Sequence, residues 1–226
     1  MSSNQTMPEE YLDGYVIFMG RRFNVDPRAL IPRLETEELV KYCLNLLQHN
    51  PTIQTVIDVG TGSGIVPISL YEHGVEAKMY ATDKSPDALE LARENAAVTC
   101  ADDITFLQGD LLQPIVQYFA TSSVPDEVLI TANLPYVREK EIHDALVHEP
   151  RMAFLGGGQT GFELYERFFD QLLAWKNRPR TCHVVIEFGL WQRDIAETIL
   201  MSKNCSYTFF ADLRGIERFA HICLSA

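Results

Sequence analysis

The chain is poor in cysteine, and the five it has follow no pattern: Cys43, Cys100, Cys182, Cys205 and Cys223 are odd in number and never spaced as C-x-x-C. That excludes a disulfide framework and a zinc ribbon, and it suits a reducing, cytoplasmic setting. Long apolar runs are also missing. None approaches the roughly 20 residues that cross a bilayer, so no membrane role is expected. The opening stretch MSSNQTMPEEY has no basic segment and no apolar segment, and does not read as a signal peptide. The six histidines (His49, His73, His143, His148, His183 and His221) form no i,i+4 pair, and no metal site is assigned. Basic residues are scarce, 19 against 31 acidic ones, for a net charge of −12. Proteins that hold nucleic acid by neutralising phosphates carry the opposite balance, so nucleic acid is not expected as a direct substrate. The negative field suits cationic small molecules or a basic protein partner. What is present is an ordinary globular composition, 46% hydrophobic and 22% charged over 226 residues, enough for a core without covalent staples.

From Thr55 onward, short β-branched runs alternate with helical patterns, which predicts an α/β fold with a mainly parallel sheet. The expected strands are 55–60, 78–83, 104–110, 127–132 and 181–189, followed by 207–213 and 219–225. The last two are separated only by 214–218, and so short a turn can only join antiparallel strands. The sheet is therefore expected to be parallel until its last strand. Ser85-Pro86-Asp87 supplies a capping hydroxyl, a first-position proline and a first-turn carboxylate for one helix. Thr36, followed by Glu37 and Glu38, is expected to cap another. Residues 1–14 are polar and expected to fray. The domain reading is a short extension, 1–50, whose helix packs on a domain spanning 51–226. Phe162, Leu164, Tyr165, Phe168, Phe169 and Leu172 follow helical spacing and are expected in the core. Arg138-Glu139-Lys140-Glu141 is expected to be a solvated helical turn.

Ile57-Asp58-Val59-Gly60-Thr61-Gly62-Ser63-Gly64 ends the first strand and opens a helix. Glycines belong where backbone must bend sharply and lie against a ligand, because a Cβ would block the approach. The spacing is G-x-G-x-G, neither the dinucleotide fingerprint nor the phosphate loop. Asp83 closes the second strand, where a carboxylate can accept both hydroxyls of a ribose. Together they point to a nucleoside site. The pattern resembles the S-adenosylmethionine site of class I methyltransferases, with a three-layer Rossmann-like fold and a seven-stranded sheet whose last strand is antiparallel. That resemblance implies that Gly60, Thr61, Gly62, Ser63 and Gly64 lie against the methionine part. It also implies that Asp83 holds the ribose, Asp110 lies near the adenine amine and Leu111 lies on the adenine face.

The fourth strand runs into Asn133-Leu134-Pro135-Tyr136, at the same carboxyl edge of the sheet, where ligands of open α/β folds sit. Pro135 keeps Leu134 extended. An Asn oxygen and a freed backbone carbonyl can take both hydrogens of a planar –NH₂ group, with Tyr136 offering a flat face beside it. Held in line with an electrophilic methyl, such a nitrogen needs no strong base, because its proton becomes acidic after transfer.

Three further stretches narrow the resemblance: Leu30-Ile31-Pro32-Arg33-Leu34-Glu35-Thr36-Glu37, then Glu149-Pro150-Arg151-Met152-Ala153 with Gly156-Gly157, and Asp212-Leu213-Arg214-Gly215-Ile216-Glu217-Arg218. With the tetrapeptide, they resemble the protein-glutamine N5-methyltransferases, the PrmC or HemK family that modifies peptide chain release factors. The resemblance implies that Asn133 and Pro135 hold a glutamine carboxamide, with Tyr136 packed beside it and the Pro32–Glu37 stretch, Arg33 and Glu35 within it, bordering the same crevice. Asn133 would then meet both cofactor and substrate. It also implies a largely missing helical docking domain, since only about fifty residues precede the glycine loop. Leu134 stands where the family usually has proline, and the Asn-Leu-Pro-Tyr form also occurs in ribosomal RNA adenine dimethyltransferases. The loop 156–161 is one residue longer than usual, and its Gly157-Gly158-Gln159 triplet is read as coincidence. Two alternatives stay open. One is an N6-adenine or other exocyclic-amine methyltransferase acting on RNA or DNA, which the acidic charge opposes. The other is a non-catalytic module that binds a nucleoside or a partner, which the intact corner opposes. The oligomeric state is not set by any of these features.

Overall fold

The computed structural model describes residues 7–142 and 146–225. It opens with helix α1 (Glu9–Asp13), a hairpin of β1 (Tyr15–Phe18) and β2 (Arg21–Asn24), and helix α2 (Thr36–His49). Strands and helices then alternate through β3 (Thr55–Val59), α3 (Ile65–Glu72), β4 (Lys78–Asp83), α4 (Pro86–Val98), β5 (Thr105–Gln108), α5 (Gln113–Phe119) and β6 (Glu127–Ala132). A small pair, β7 (Val137–Arg138) and β8 (Leu155–Gly157), brackets the one-turn α6 (Arg151–Phe154). The chain closes with α7 (Glu163–Ala174), β9 (Thr181–Glu187), α8 (Arg193–Ser202), β10 (Ser206–Ala211) and β11 (Glu217–Ser225). Among the described residues, no helix is long and apolar enough to cross a membrane.

Seven strands form one sheet in the order β10-β11-β9-β6-β3-β4-β5. The five strands from β9 to β5 pair in parallel, and β11 lies antiparallel between β9 and β10. The expected reversal is present in the last strand. That strand inserts beside β9 and leaves β10 at the edge, the tight turn between them keeping the two adjacent.

A parallel sheet between two helix layers is buried on both faces. Along β6, Val128 and Ile130 enter one core with Ile115 of α5 and Phe168, Phe169 and Leu172 of α7. Leu129 turns into the other core, with Leu39, Val40 and Cys43 of α2 and Ile68 and Leu70 of α3. Leu164 alone of the expected α7 core residues is only half-buried.

Ser85 caps α4 as expected, its Oγ accepting from the Ala88 N–H at 3.2 Å, with Pro86 at the first position. Thr36 does not cap α2. It is the first helical residue, and its hydroxyl donates to Glu187 Oε2, 2.8 Å away. A Thr-Glu-Glu pattern reads the same whether the hydroxyl turns back to its own helix or out to a neighbour. The polar start is also more ordered than its composition suggests: α1 forms, and the Tyr11 hydroxyl donates to the Ala29 carbonyl at 2.7 Å. Residues 1–6 of that stretch, and His143, lie outside the described residues. Arg138–Glu141 holds a single tight turn over Glu139–Glu141, closed by the Arg138–Glu141 ion pair.

A polar chain crosses the α2 side of the sheet. Tyr42 OH meets His221 Nδ1 at 3.0 Å, His221 Nε2 meets His183 Nδ1 at 3.1 Å, and His183 Nε2 meets Glu127 Oε1 at 3.0 Å. If each member donates to the next from the Tyr42 end, both rings are neutral and every bond is satisfied. Burial, helped by His183, pulls His221 down to about 4.

Candidate active site

The carboxyl ends of the parallel strands meet a cavity of about 520 Å³, a size that takes a nucleoside with an extension. Gly60, Thr61, Gly62, Ser63, Asp83, Asp110, Leu111, Asn133, Leu134, Pro135 and Arg33 all line it. Gly64, Glu35 and Tyr136 do not. Gly64 instead starts α3 in the left-handed region.

The glycine loop is tied to β4, with the Gly60 and Thr61 N–H groups both donating to the Thr82 carbonyl at 2.8 and 2.9 Å. Gly60 has φ +74°, and a Cβ there would lie 2.8 Å from Leu134 Cδ2. Leu134, 2% exposed, is thus the side chain that closes the loop against the corner. Asp83 accepts the Gly62 N–H on Oδ2 and the Ser85 N–H on Oδ1, each at 2.9 Å. Each oxygen keeps a lone pair for a further donor. Burial pushes the Asp83 carboxyl up, against those N–H bonds. Asp58, which the spacing argument passed over, also lines the cavity. It accepts from Thr131 Oγ1 at 2.6 Å, and burial raises it to about 6. Asp110 Oδ2 is taken by Arg167 at 2.6 Å and Gln171 at 3.1 Å, leaving Oδ1. Leu111 stands at φ +53°, an uncommon conformation for a bulky residue, and its carbonyl takes the Thr82 hydroxyl at 2.9 Å.

The corner after β6 is held from behind. The Leu134 N–H donates to Tyr165 OH at 2.9 Å, and that hydroxyl reaches the Ala132 carbonyl at 3.2 Å and the Glu187 carbonyl. Asn133 Nδ2 donates to Thr36 Oγ1 at 3.1 Å, and the Thr36 hydroxyl in turn donates to Glu187. Glu187 ends β9 at 1% exposure. Burial lifts it to about 7, opposed by the Thr36 hydroxyl, Arg218 and the Asn133 amide. Tyr136 does not offer a free face to the cavity. Its carbonyl accepts from Gln192 Nε2 at 3.0 Å, and a Cβ on Gly189 would come within 3.1 Å of its ring. Burial, and next the nearby Glu187, hold its phenol above the ordinary range. Gly156 and Gly161 press backbone to backbone on the same corner: a Cβ on Gly156 would overlap the Pro135 and Gly161 carbonyls, and one on Gly161 the Tyr136 carbonyl.

The three flanking stretches converge here. Buried Glu149 accepts the Ile31 N–H at 3.0 Å and pairs with Arg33, fastening the first stretch to the second across the cavity. Arg218 of the final hairpin pairs with Glu35 at 3.5 Å and with Asp212 at 3.4 Å, tying in the third. Thr36 lies in the stretch expected at the crevice and lines it, whereas Glu187, Glu149 and Tyr165 are members of the site that local spacing did not reveal.

A family model described as a methyltransferase domain matches residues 53–140. Release factor glutamine methyltransferase of Bacillus cereus is 36% identical over 200 residues, which cover 86% of this chain and 68% of that protein. The Bacillus anthracis protein of the same name is 34% identical over 96% of this chain and 77% of its own length. Among solved structures, the hMettl16 catalytic domain in complex with MAT2A 3′UTR hairpin 6 superposes with TM-score 0.64 at 15% identity, covering 96% of this chain and 89% of that one. The N-terminal domain of human METTL16 in complex with SAH gives TM-score 0.59 at 17% identity, covering 96% and 90%. At such identities these two share the fold.

Proposed function

The chain belongs to the release factor glutamine methyltransferases, and we propose that it carries out their reaction at the Asn133 corner, methylating the side-chain amide nitrogen of a protein glutamine. The cofactor of this reading is S-adenosylmethionine, which when bound supplies a methyl group made electrophilic by its sulfonium. The residues fit such a group. Gly62 lines the cavity with no side chain to fill it, a Cβ there meeting only Ala29 Cβ at 4.0 Å, and both Asp83 oxygens keep acceptor capacity. On this reading Asp83 holds the ribose, the loop from Gly60 to Gly64 holds the amino-acid end, and Leu111 with the remaining Asp110 oxygen borders the adenine. Residues 51–226 are then the methyltransferase domain, with α2 of the preceding segment laid on it.

The substrate amide is held by two acceptors. One is the Asn133 side-chain oxygen; the other, in place of the expected Pro135, is the Leu134 carbonyl, which takes no hydrogen bond among the described residues, whereas the Pro135 carbonyl lies against Gly156. Bonding both N–H groups orients the nitrogen, whose lone pair is otherwise spread over the amide. Acceleration by positioning of this kind can reach about 7–11 kcal/mol, so no strong base is required. Tyr136 and Glu35 serve the wall behind the acceptors, and Arg33 its rim.

One observation carries the reading: an Asn amide held from behind at the ligand edge of the sheet, in a chain 36% identical to a named glutamine methyltransferase. The test is incubation of the purified protein with labelled S-adenosylmethionine and a release factor, followed by peptide mass spectrometry. One added methyl on the glutamine of the factor's Gly-Gly-Gln loop is expected. Methylated RNA or DNA with the release factor untouched would move the assignment to an exocyclic-amine methyltransferase.

A further inference from the structure

We infer that Glu187, acting through Thr36, fixes which end of the Asn133 carboxamide meets the substrate, so that the corner selects a hydrogen-donating –NH₂ group. The inference rests on the reading of Asn133 as the residue that grips the amide. A carboxamide has one accepting and one donating end, and a half-turn about its last bond exchanges them. Something must break that tie. Thr36 has a single proton, and it lies toward Glu187 Oε2 at 2.8 Å. Its oxygen is therefore an acceptor toward Asn133, 3.1 Å away. Only the Asn133 amino end satisfies an acceptor, so the oxygen is left for the cavity that Asn133 lines.

The direction of the chain comes from its far end. Above about pH 7, where Glu187 is ionised, its carboxylate accepts and never donates, so the Thr36 hydroxyl and the Asn133 amide both turn their hydrogens toward it and the run has one polarity. Both anchors are fixed. The Glu187 backbone carbonyl is held by Tyr165, and the helix carrying Thr36 is set in the core by Leu39, Val40 and Cys43. The other charged and titratable groups near Glu187 are Arg218, Glu35, Tyr136 and Tyr165. Arg218 is shared with Glu35 and Asp212, which leaves Thr36 as the hydroxyl donor to Oε2. Glu187 and Thr36 are thus positioning residues. A glutamate in place of the substrate glutamine would set lone pairs against the Asn133 oxygen and would be rejected.

The test compares Thr36→Val, Thr36→Ser and Glu187→Gln in the full chain, with release factor as acceptor. Thr36→Val removes the intermediate hydroxyl. Glu187→Gln can donate to Thr36 and free the threonine proton for the Asn133 oxygen, reversing the chain. Both should lower kcat about ten-fold, the factor carried by one net hydrogen bond, with KM for S-adenosylmethionine within about two-fold. Thr36→Ser should restore most of the turnover lost in Thr36→Val. Independently of activity, the side-chain ¹H–¹⁵N signals of Asn133, identified by their loss in Asn133→Ala, should shift in Thr36→Val and Glu187→Gln and return in Thr36→Ser. Should Glu187→Gln not fold, the valine and serine pair decides. Unmoved Asn133 signals, or full kcat in Thr36→Val, would overturn the inference. Shifted signals in a protein that methylates no glutamine would uphold the relay and overturn the substrate reading instead.

Discussion

Replacing Gly60 by alanine measures how tightly the glycine loop and the Asn133 corner are fitted to each other. Two costs are separable. At φ +74° an added Cβ is in the left-handed region, which costs about 1–2 kcal/mol. The same Cβ would lie 2.8 Å from Leu134 Cδ2, and Leu134 is too enclosed to swing away freely. Overpacking of that kind costs about 1–3 kcal/mol. Gly60→Ala should therefore lose roughly 2–5 kcal/mol in urea denaturation. Leu134→Ala alone should lose about 2–5 kcal/mol for a buried leucine and its cavity. The double variant escapes the collision but keeps the backbone strain, so it should be more stable than the summed losses by about 1–3 kcal/mol. Additive losses, within about 0.5 kcal/mol, would mean that the two loops do not touch and that Leu134 has no part in shaping the cofactor side.

Asn133→Ala should keep S-adenosylmethionine affinity within a few-fold by calorimetry while turnover falls by roughly 10²–10³; near-native turnover would reduce the tetrapeptide to a turn. Tyr165→Phe strands the Leu134 N–H in the core and should cost about 1–3 kcal/mol with a several-fold loss of kcat, and an unchanged urea midpoint would refute it. Stability against pH should show two opposed contributions. Glu187, raised to about 7, and Asp58, raised to about 6, favour the folded state most below their unfolded values, and that contribution is lost as pH rises through 6 to 7. His221, lowered to about 4, contributes fully above its unfolded value near 6.5, and that contribution is lost as pH falls toward 4. Removing the glutamate side with Glu187→Gln should make stability rise more steeply between pH 4 and 7 than in the parent protein, and identical slopes would sink the argument.

What could be read from the chain was whatever lies close together along it. The strand, glycine loop, helix and Asp83 follow within one βαβ unit, and the reversed strand follows from a turn too short for a crossover. Thr36 and Glu187 are 151 residues apart, and Ile31 and Glu149 are 118 apart, so no local spacing joins them. Thr36 even imitated a helix cap. Yet a signal existed for Asp58 and Glu187. Each is the one carboxylate in a strand otherwise buried and largely apolar, and such a charge is seldom enclosed without partners. Leu134 was legible only as a departure from a pattern. Its place against Gly60 supplies the physical reason for a side chain of that bulk.

The stretch 156–161 is clamped at both ends and open at its tip. Gly156 and Gly161 have carbonyl oxygens where a Cβ would go, while a Cβ on the exposed Gly158 meets nothing within 4 Å. Extra length or bulk can therefore be absorbed at the tip but not at the two clamped ends. That makes 158 a place to mount an environment-sensitive fluorophore without disturbing the packed ends. Such a label would sit a few residues from the backbone that touches Pro135 and Tyr136, and its emission would report, in real time, the arrival and departure of whatever covers the corner.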